Sequence, residues 1–200
     1  MTDLHTWQAI QRKCGVRPDG IPGPATATAI AEHLGIDLTD HPQSAANRWP
    51  IDNAAAMLAF YGDIGTGHTQ ITPPYPLLYE GRPLKTITVH GRIALDVTRA
   101  LEQVLSQYGH DEIKRLRLNR FDGCYNPRKK RGGTTWSTHA FAAALDFAAE
   151  HNQLNQDHRT ALFAKPEYEA WWRAWENVGA LSLGRTRDFD WMHIQFARLP

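Results

Sequence analysis

Apolar positions at the start of the chain recur at helical spacing. Leu4, Trp7, Ile10 and Cys14, with Gln11 on the same side, predict a helix over residues 4–14 that Gly15 stops. The turn formers between Arg17 and Pro24 follow, and Pro24 suits a first helical turn, so a second helix is predicted from Pro24 to Leu34, ended by Gly35. Residues 37–50 mix Pro, Ser, Asn and Asp without a period and read as a linker. Ile51 to Tyr61 is an alanine-rich helix candidate, capped by Asp52 or Asn53 and closed by Gly62. Residues 62–83 hold four glycines and four prolines and read as loop, extended at Pro73–Pro76, before a strand over Thr86–Val89.

The strongest stripe is Ile93, Val97, Leu101, Val104, Leu105 and Tyr108, which predicts a helix from Gly91 to Gly109. Leu116 and Leu118 alternate with Arg115, Arg117 and Asn119, as in a strand with one buried face. Lys165-Pro166 opens a further helix in which Trp171, Trp172 and Trp175 crowd together, read as core or domain contact before a sugar-stacking surface. Helices and strands in this order predict an α+β class: a small antiparallel sheet with flanking helices, preceded by a short helical amino-terminal module.

Two hundred residues, 42% of them hydrophobic, suffice for one good core and a small attached module. The net charge of +1, from 22 basic and 21 acidic residues, gives no global field for nucleic acid or anionic lipid. The local run Arg115, Arg117, Arg120 and Arg128–Arg131 is better read as a solvated edge and a site loop than as a nucleic-acid patch. No apolar run approaches a membrane span, and the first residues lack the basic and apolar regions of an export signal. Cys14 and Cys124 exclude a disulfide scaffold and are expected as free thiols, with pairing the alternative.

Candidate chemistry concentrates in Ser137-Thr-His139-Ala-Phe-Ala-Ala-Ala-Leu-Asp146 and in Asp190-Trp-Met-His193. His139, Asp146 and His193 form a nitrogen and oxygen set suited to a catalytic zinc with a fourth position open, and Asp190 is a spare carboxylate. The interval of seven between His139 and Asp146 places them on one face of a helix; on a strand it does so only if a turn intervenes. The pair His151 and His158 repeats the interval and carries no chemistry.

These residues resemble the S-x-H-x-x-G-x-A-x-D motif of the LAS-type zinc peptidases, the VanY-like D-alanyl-D-alanine carboxypeptidases and L-alanyl-D-glutamate endopeptidases, and Asp190-x-x-His193 resembles their second motif. Gly123-Cys-Tyr-Asn-Pro-Arg128 through Gly132-Gly133 resembles the arginine-bearing loop of that family, so the likeness covers residues 51–200. Ala142 stands where the family has glycine. The resemblance implies a turn leading into a strand over Ser137–Asp146, one zinc per chain on His139, Asp146 and His193, Asp190 as general base, and Arg128 on the carbonyl oxygen or a substrate carboxylate. Ser137 and Trp191 would support the ligands or touch substrate. Upstream, Ile10-Gln11, Asp19-Gly20-Ile21 and Gly23-Pro24-x-Thr26 resemble a peptidoglycan-binding module over residues 1–36, shorter than the usual three helices.

The expectation is thus a monomeric peptidoglycan hydrolase of bacteriophage endolysin type, made in the bacterial cytoplasm and reaching the wall through a holin or within a virion. The bond expected is L-alanyl-D-glutamate, with D-alanyl-D-alanine carboxypeptidase as the alternative. A non-catalytic wall-binding or tail structural protein is the reading from another class. Peptidoglycan is the expected partner, without nucleic acid and without membrane insertion.

Overall fold

Helices α1 (Leu4–Lys13) and α2 (Pro24–Leu34) form the described part of a first unit, Met1–Gln43, and the remainder of the chain, Ser44–Pro200, forms a second. The computed structural model describes residues 4–16, 18, 20, 24–35 and 48–200. In the first unit Gln11, only 1% exposed, acts as a polar hub. Its amide nitrogen donates to Thr26 Oγ1 at 3.0 Å and its Oε1 accepts the Gly20 N–H at 2.7 Å. Two residues of the wall-binding pattern, Gly20 and Thr26, therefore converge on one side chain. Asp19, Gly23 and most of the expected linker lie outside the described residues.

The second unit starts earlier than the sequence boundary at residue 51 suggests. Trp49 is 3% exposed and meets Phe196 edge to face at 5.1 Å, while Arg48 pairs with the buried Asp96 and lies over the Trp49 ring. Trp49 and Pro50 are buried, so the core of the second unit begins before residue 51, with Arg48 at its surface. Helix α3 (Ala54–Tyr61) then forms as expected, with the Asn53 side chain accepting the Ala56 N–H at 2.9 Å and Gly62 closing it.

Strand β1 (His68–Ile71) lies within the region expected to be loop and pairs antiparallel with β4 (Ile87–His90). A small hairpin of β2 (Leu78–Tyr79) and β3 (Arg82–Pro83) lies between them in sequence. Helix α4 (Ala94–Arg115) buries Val97, Leu101 and Val104 along the predicted stripe, with Ala100 beside them, and is interrupted at Gly109, whose φ 67°, ψ 170° is not helical, so the predicted helix stops there and a second short one runs on to Arg115. Leu116 and Leu118 are not a strand. Arg117 turns left-handed at φ 60°, Leu118 N–H donates to Ile113 O at 2.9 Å and Arg117 N–H to Lys114 O at 3.3 Å. That Schellman pattern brings Leu118 back onto the core beside Ile113, which buries both leucines without any sheet.

The principal sheet has four antiparallel strands in the order β5 (Phe121–Gly123), β6 (Ala144–Phe147), β8 (His193–Gln195) and β7 (Leu181–Ser182). Helix α5 (Glu169–Asn177) packs against α4 and buries Trp171, Trp172 and Trp175, with Phe147 of β6 4.9 Å from the Trp171 ring. The tryptophans are core, as the sequence reading expects. A short helix α6 (Leu183–Arg187) leads into the turn before β8. The class is α+β, with small antiparallel sheets and flanking helices. No helix among the described residues is long and apolar enough to cross a membrane, and both cysteines are free thiols.

Candidate metal centre

His139 sits in a single 3-10 turn, Thr138–Phe141, whose first N–H groups are met by the Ser137 hydroxyl oxygen, 3.3 Å from His139 N. Ala142 then takes φ 50°, ψ 35°, and the chain enters β6. That left-handed residue reverses the path, so His139 folds back over Asp146 although the two are separated by an odd interval. Asp146 is on the central strand, and its register partner on β8 is His193. Register alone therefore delivers two of the three side chains.

The three side chains converge closely enough to share one cation. His139 Nε2 is 3.1 Å from His193 Nδ1 and 3.2 Å from Asp146 Oδ2, and His193 Nδ1 is 3.1 Å from Asp146 Oδ1. The two imidazoles meet different oxygens of the Asp146 carboxylate, and one ligand atom from each of the three residues lies within 4.8 Å of the others, so a small rotation of the carboxylate brings the set toward the edges of about 3.3–3.4 Å of a tetrahedral ion. Both imidazoles are already oriented from behind. His139 Nδ1 lies 2.7 Å from the Cys124 carbonyl oxygen, and His193 Nε2 lies 3.1 Å from Gln195 Oε1. Each ring thus has an acceptor for its far N–H, which leaves the near nitrogen available to a cation once it gives up its proton. This group of His139, Asp146 and His193 can hold a metal ion.

The electrostatics of these groups favour positive charge at the centre. Burial works against the Asp146 carboxylate, but the charge and hydrogen bonds of His139 and His193 outweigh it and hold its pKa well below the usual range. For His193, burial works against the imidazolium; the hydrogen bond and charge of Asp146, joined by the charge of Asp190, overcome it and raise the pKa.

Asp190 is 9% exposed, its Oδ1 has no hydrogen-bond partner, and burial, joined by the negative charge of Asp146, raises its pKa against the opposing positive charges of His193, His139 and Arg128. Its backbone is left-handed at φ 56° and is fixed by Asp190 N–H to Leu154 O at 3.0 Å and His193 N–H to Asp190 O at 3.0 Å. The completely buried Asn152 braces this turn: its carbonyl accepts the Met192 N–H, and its side chain ties Ala148 O to Phe163 N. A cavity of about 530 Å³ opens over Asp146, Asp190 and His193 and reaches Arg128. Arg128 belongs to a loop in which Ser137 N–H donates to Arg128 O and Lys130 N–H to Thr135 O, an arrangement that turns Arg128 and Lys130 to the cavity and leaves Lys129 on the Trp136 ring.

Of the residues singled out in the sequence, His139, Asp146, His193, Asp190, Arg128 and Ser137 are gathered at this cavity or on its ligands. Trp191 is not: it packs on Gly184 and Trp172 and donates to Asp188 Oδ1 at 3.2 Å. Sequence reasoning missed Gln195 and the Cys124 carbonyl. Gln195 was within reach, since it stands two residues after His193 on a strand and so shares its face; the carbonyl acceptor has no sequence signal. Compared with protein-family models, curated proteins and solved structures, the chain finds no match.

Proposed function

We propose that the second unit is a zinc-dependent peptidase acting on the stem peptide of peptidoglycan, related to the LAS-type enzymes, and that it cleaves the L-alanyl-D-glutamate bond. The observation that carries this reading is the convergence of His139, Asp146 and His193, each imidazole within 3.1–3.2 Å of one oxygen of the Asp146 carboxylate, beside a buried carboxylate, Asp190, that has an unpaired oxygen. Two imidazoles and one carboxylate suit zinc among the common divalent ions. When bound, zinc would supply Lewis acidity to water and to the scissile carbonyl. Asp190, its affinity for protons raised by burial, takes a proton from the attacking water and returns it to the leaving amine. Arg128 stabilises negative charge developing on the carbonyl oxygen, or holds a substrate carboxylate. The cavity supports a peptide carrying acid groups, because Arg128, Lys130 and Arg131 line one part of it while Leu154, Phe189 and Met192 line another. We assign the first unit to retention on the wall.

The test is digestion of purified sacculi by wild type and Asp190→Ala, followed by identification of new amino termini. New glutamate amino termini from the wild type, abolished by chelation and restored by zinc, support the proposal. Free D-alanine as the sole product makes the protein a carboxypeptidase instead, and equal digestion by both proteins removes Asp190 from the chemistry. Binding to sacculi without any cleavage gives the non-catalytic reading.

A further inference from the structure

We propose that Gln195 is a positioning residue that selects which ring nitrogen of His193 faces the metal position. This rests on reading His139, Asp146 and His193 as metal ligands. A neutral imidazole offers one bare nitrogen and one N–H, and the group that accepts the N–H decides which is which. His193 Nδ1 points into the triangle, so Nε2 must carry the proton. Two oxygens stand near Nε2: Gln195 Oε1 at 3.1 Å and Thr138 Oγ1 at 3.5 Å. The first is an ordinary hydrogen bond and the second is at the limit of one.

The amide of Gln195 is itself held in one orientation. Its Nε2 donates to the Ala197 carbonyl at 3.0 Å. Turned over, it would set NH2 against the His193 N–H and oxygen against the Ala197 carbonyl, two repulsive contacts in place of two bonds. With Gln195 only 2% exposed, solvent would not compensate either loss. The neutral amide orients the ring without adding a third carboxylate to the region of Asp146 and Asp190. The relay runs from His193 through Gln195, two residues on along β8, to the carbonyl of Ala197 just past the end of that strand, and it excludes the tautomer that would aim an N–H at the cation.

The experiment measures Zn2+ and Co2+ affinity of the full chain by competition with a chromophoric chelator. Wild type is compared with Gln195→Met, Gln195→Glu and Thr138→Val, and the ring nitrogens of His193 are observed by NMR in the loaded proteins. The expected result is a loss of about 10–100-fold in affinity for Gln195→Met with unchanged far-UV circular dichroism, and recovery in Gln195→Glu. The wild-type ring should show its proton on Nε2. Wild-type affinity in Gln195→Met, or an equal or larger loss in Thr138→Val, overturns the proposal while leaving the metal centre intact. A wild-type proton on Nδ1 overturns it even if Gln195→Met does not fold. If the wild type itself binds neither ion, the metal reading fails and this inference fails with it.

Discussion

Asp190 carries two local costs at once: a left-handed backbone and a buried carboxyl with an unpaired oxygen. Its pKa is raised in the folded state, so the native protein holds that proton more tightly than the unfolded chain does. The associated stability is complete below the ordinary aspartate range and is lost as pH rises through the raised value. Asp190→Asn cannot ionise and tolerates the left-handed conformation. At pH 7 the metal-free variant should therefore melt above the wild type by calorimetry, while hydrolysis falls by about 10²–10⁴-fold. A lower melting temperature would make Asp190 a structural residue. Ala142 presents the opposite balance. Its φ of 50° costs about 1–2 kcal/mol for an L-residue, but its methyl group is completely buried. Ala142→Gly should thus change stability by no more than about 1 kcal/mol in denaturant titration, because relief of the backbone is offset by the lost methyl and by the freer unfolded chain. A β-branched Ala142→Val has no such offset and should cost more than about 2 kcal/mol.

Among the elements, α4 separates backbone cost from packing. At Gly109 an added methyl would meet nothing within 4 Å, and the residue lies at φ 67°. Because φ 67°, ψ 170° is open essentially to glycine alone, Gly109→Ala should destabilise by about 1–3 kcal/mol through the backbone, measured by chemical unfolding. A stabilising outcome would mean that α4 straightens. Legibility of the sequence follows the same division. Elements fixed by a stripe and a local cap were readable, including α2, α3 with Asn53 and Gly62, and the buried face of α4. Elements fixed by distant partners were not: β1 exists because β4 pairs with it, and Leu116–Leu118 mimics a strand because a Schellman turn buries alternate residues. At the site, the ligand residues could be read from type and spacing, whereas their approach depends on the turn at Ala142 and the register of Asp146 against His193. The place of Trp191 was misjudged because adjacency in sequence to Asp190 does not bring a side chain to the same cavity when the backbone between them reverses.

For the whole molecule, the metal-free centre and the loaded one should respond oppositely to pH. Without metal, raised proton affinities at His193 and Asp190 favour the folded state at acidic pH, and that contribution disappears as pH rises through their folded-state values; depressed Asp146 adds stability that is lost only well into acid. Chelated protein should therefore be most stable in mildly acidic solution. Zinc-loaded protein should gain from mass action as pH rises, since the imidazoles must give up protons to bind. Thermal scans with and without chelator across pH 5–8 check this, and parallel curves would remove the cation from the centre. The division at residues 43 and 44 predicts that removing the first unit leaves cleavage of a soluble stem peptide intact and reduces retention on sacculi, measured by sedimentation.

The ligands also have a topological consequence. His139 stands 54 positions before His193, and the chain between them includes the exposed stretch His158–Thr160. An ion seated on both histidines adds a tie between two lengths of polypeptide that the β6–β8 pairing and the α4–α5 packing already hold, so halves nicked in that exposed stretch should part at a higher denaturant concentration with the ion than after chelation.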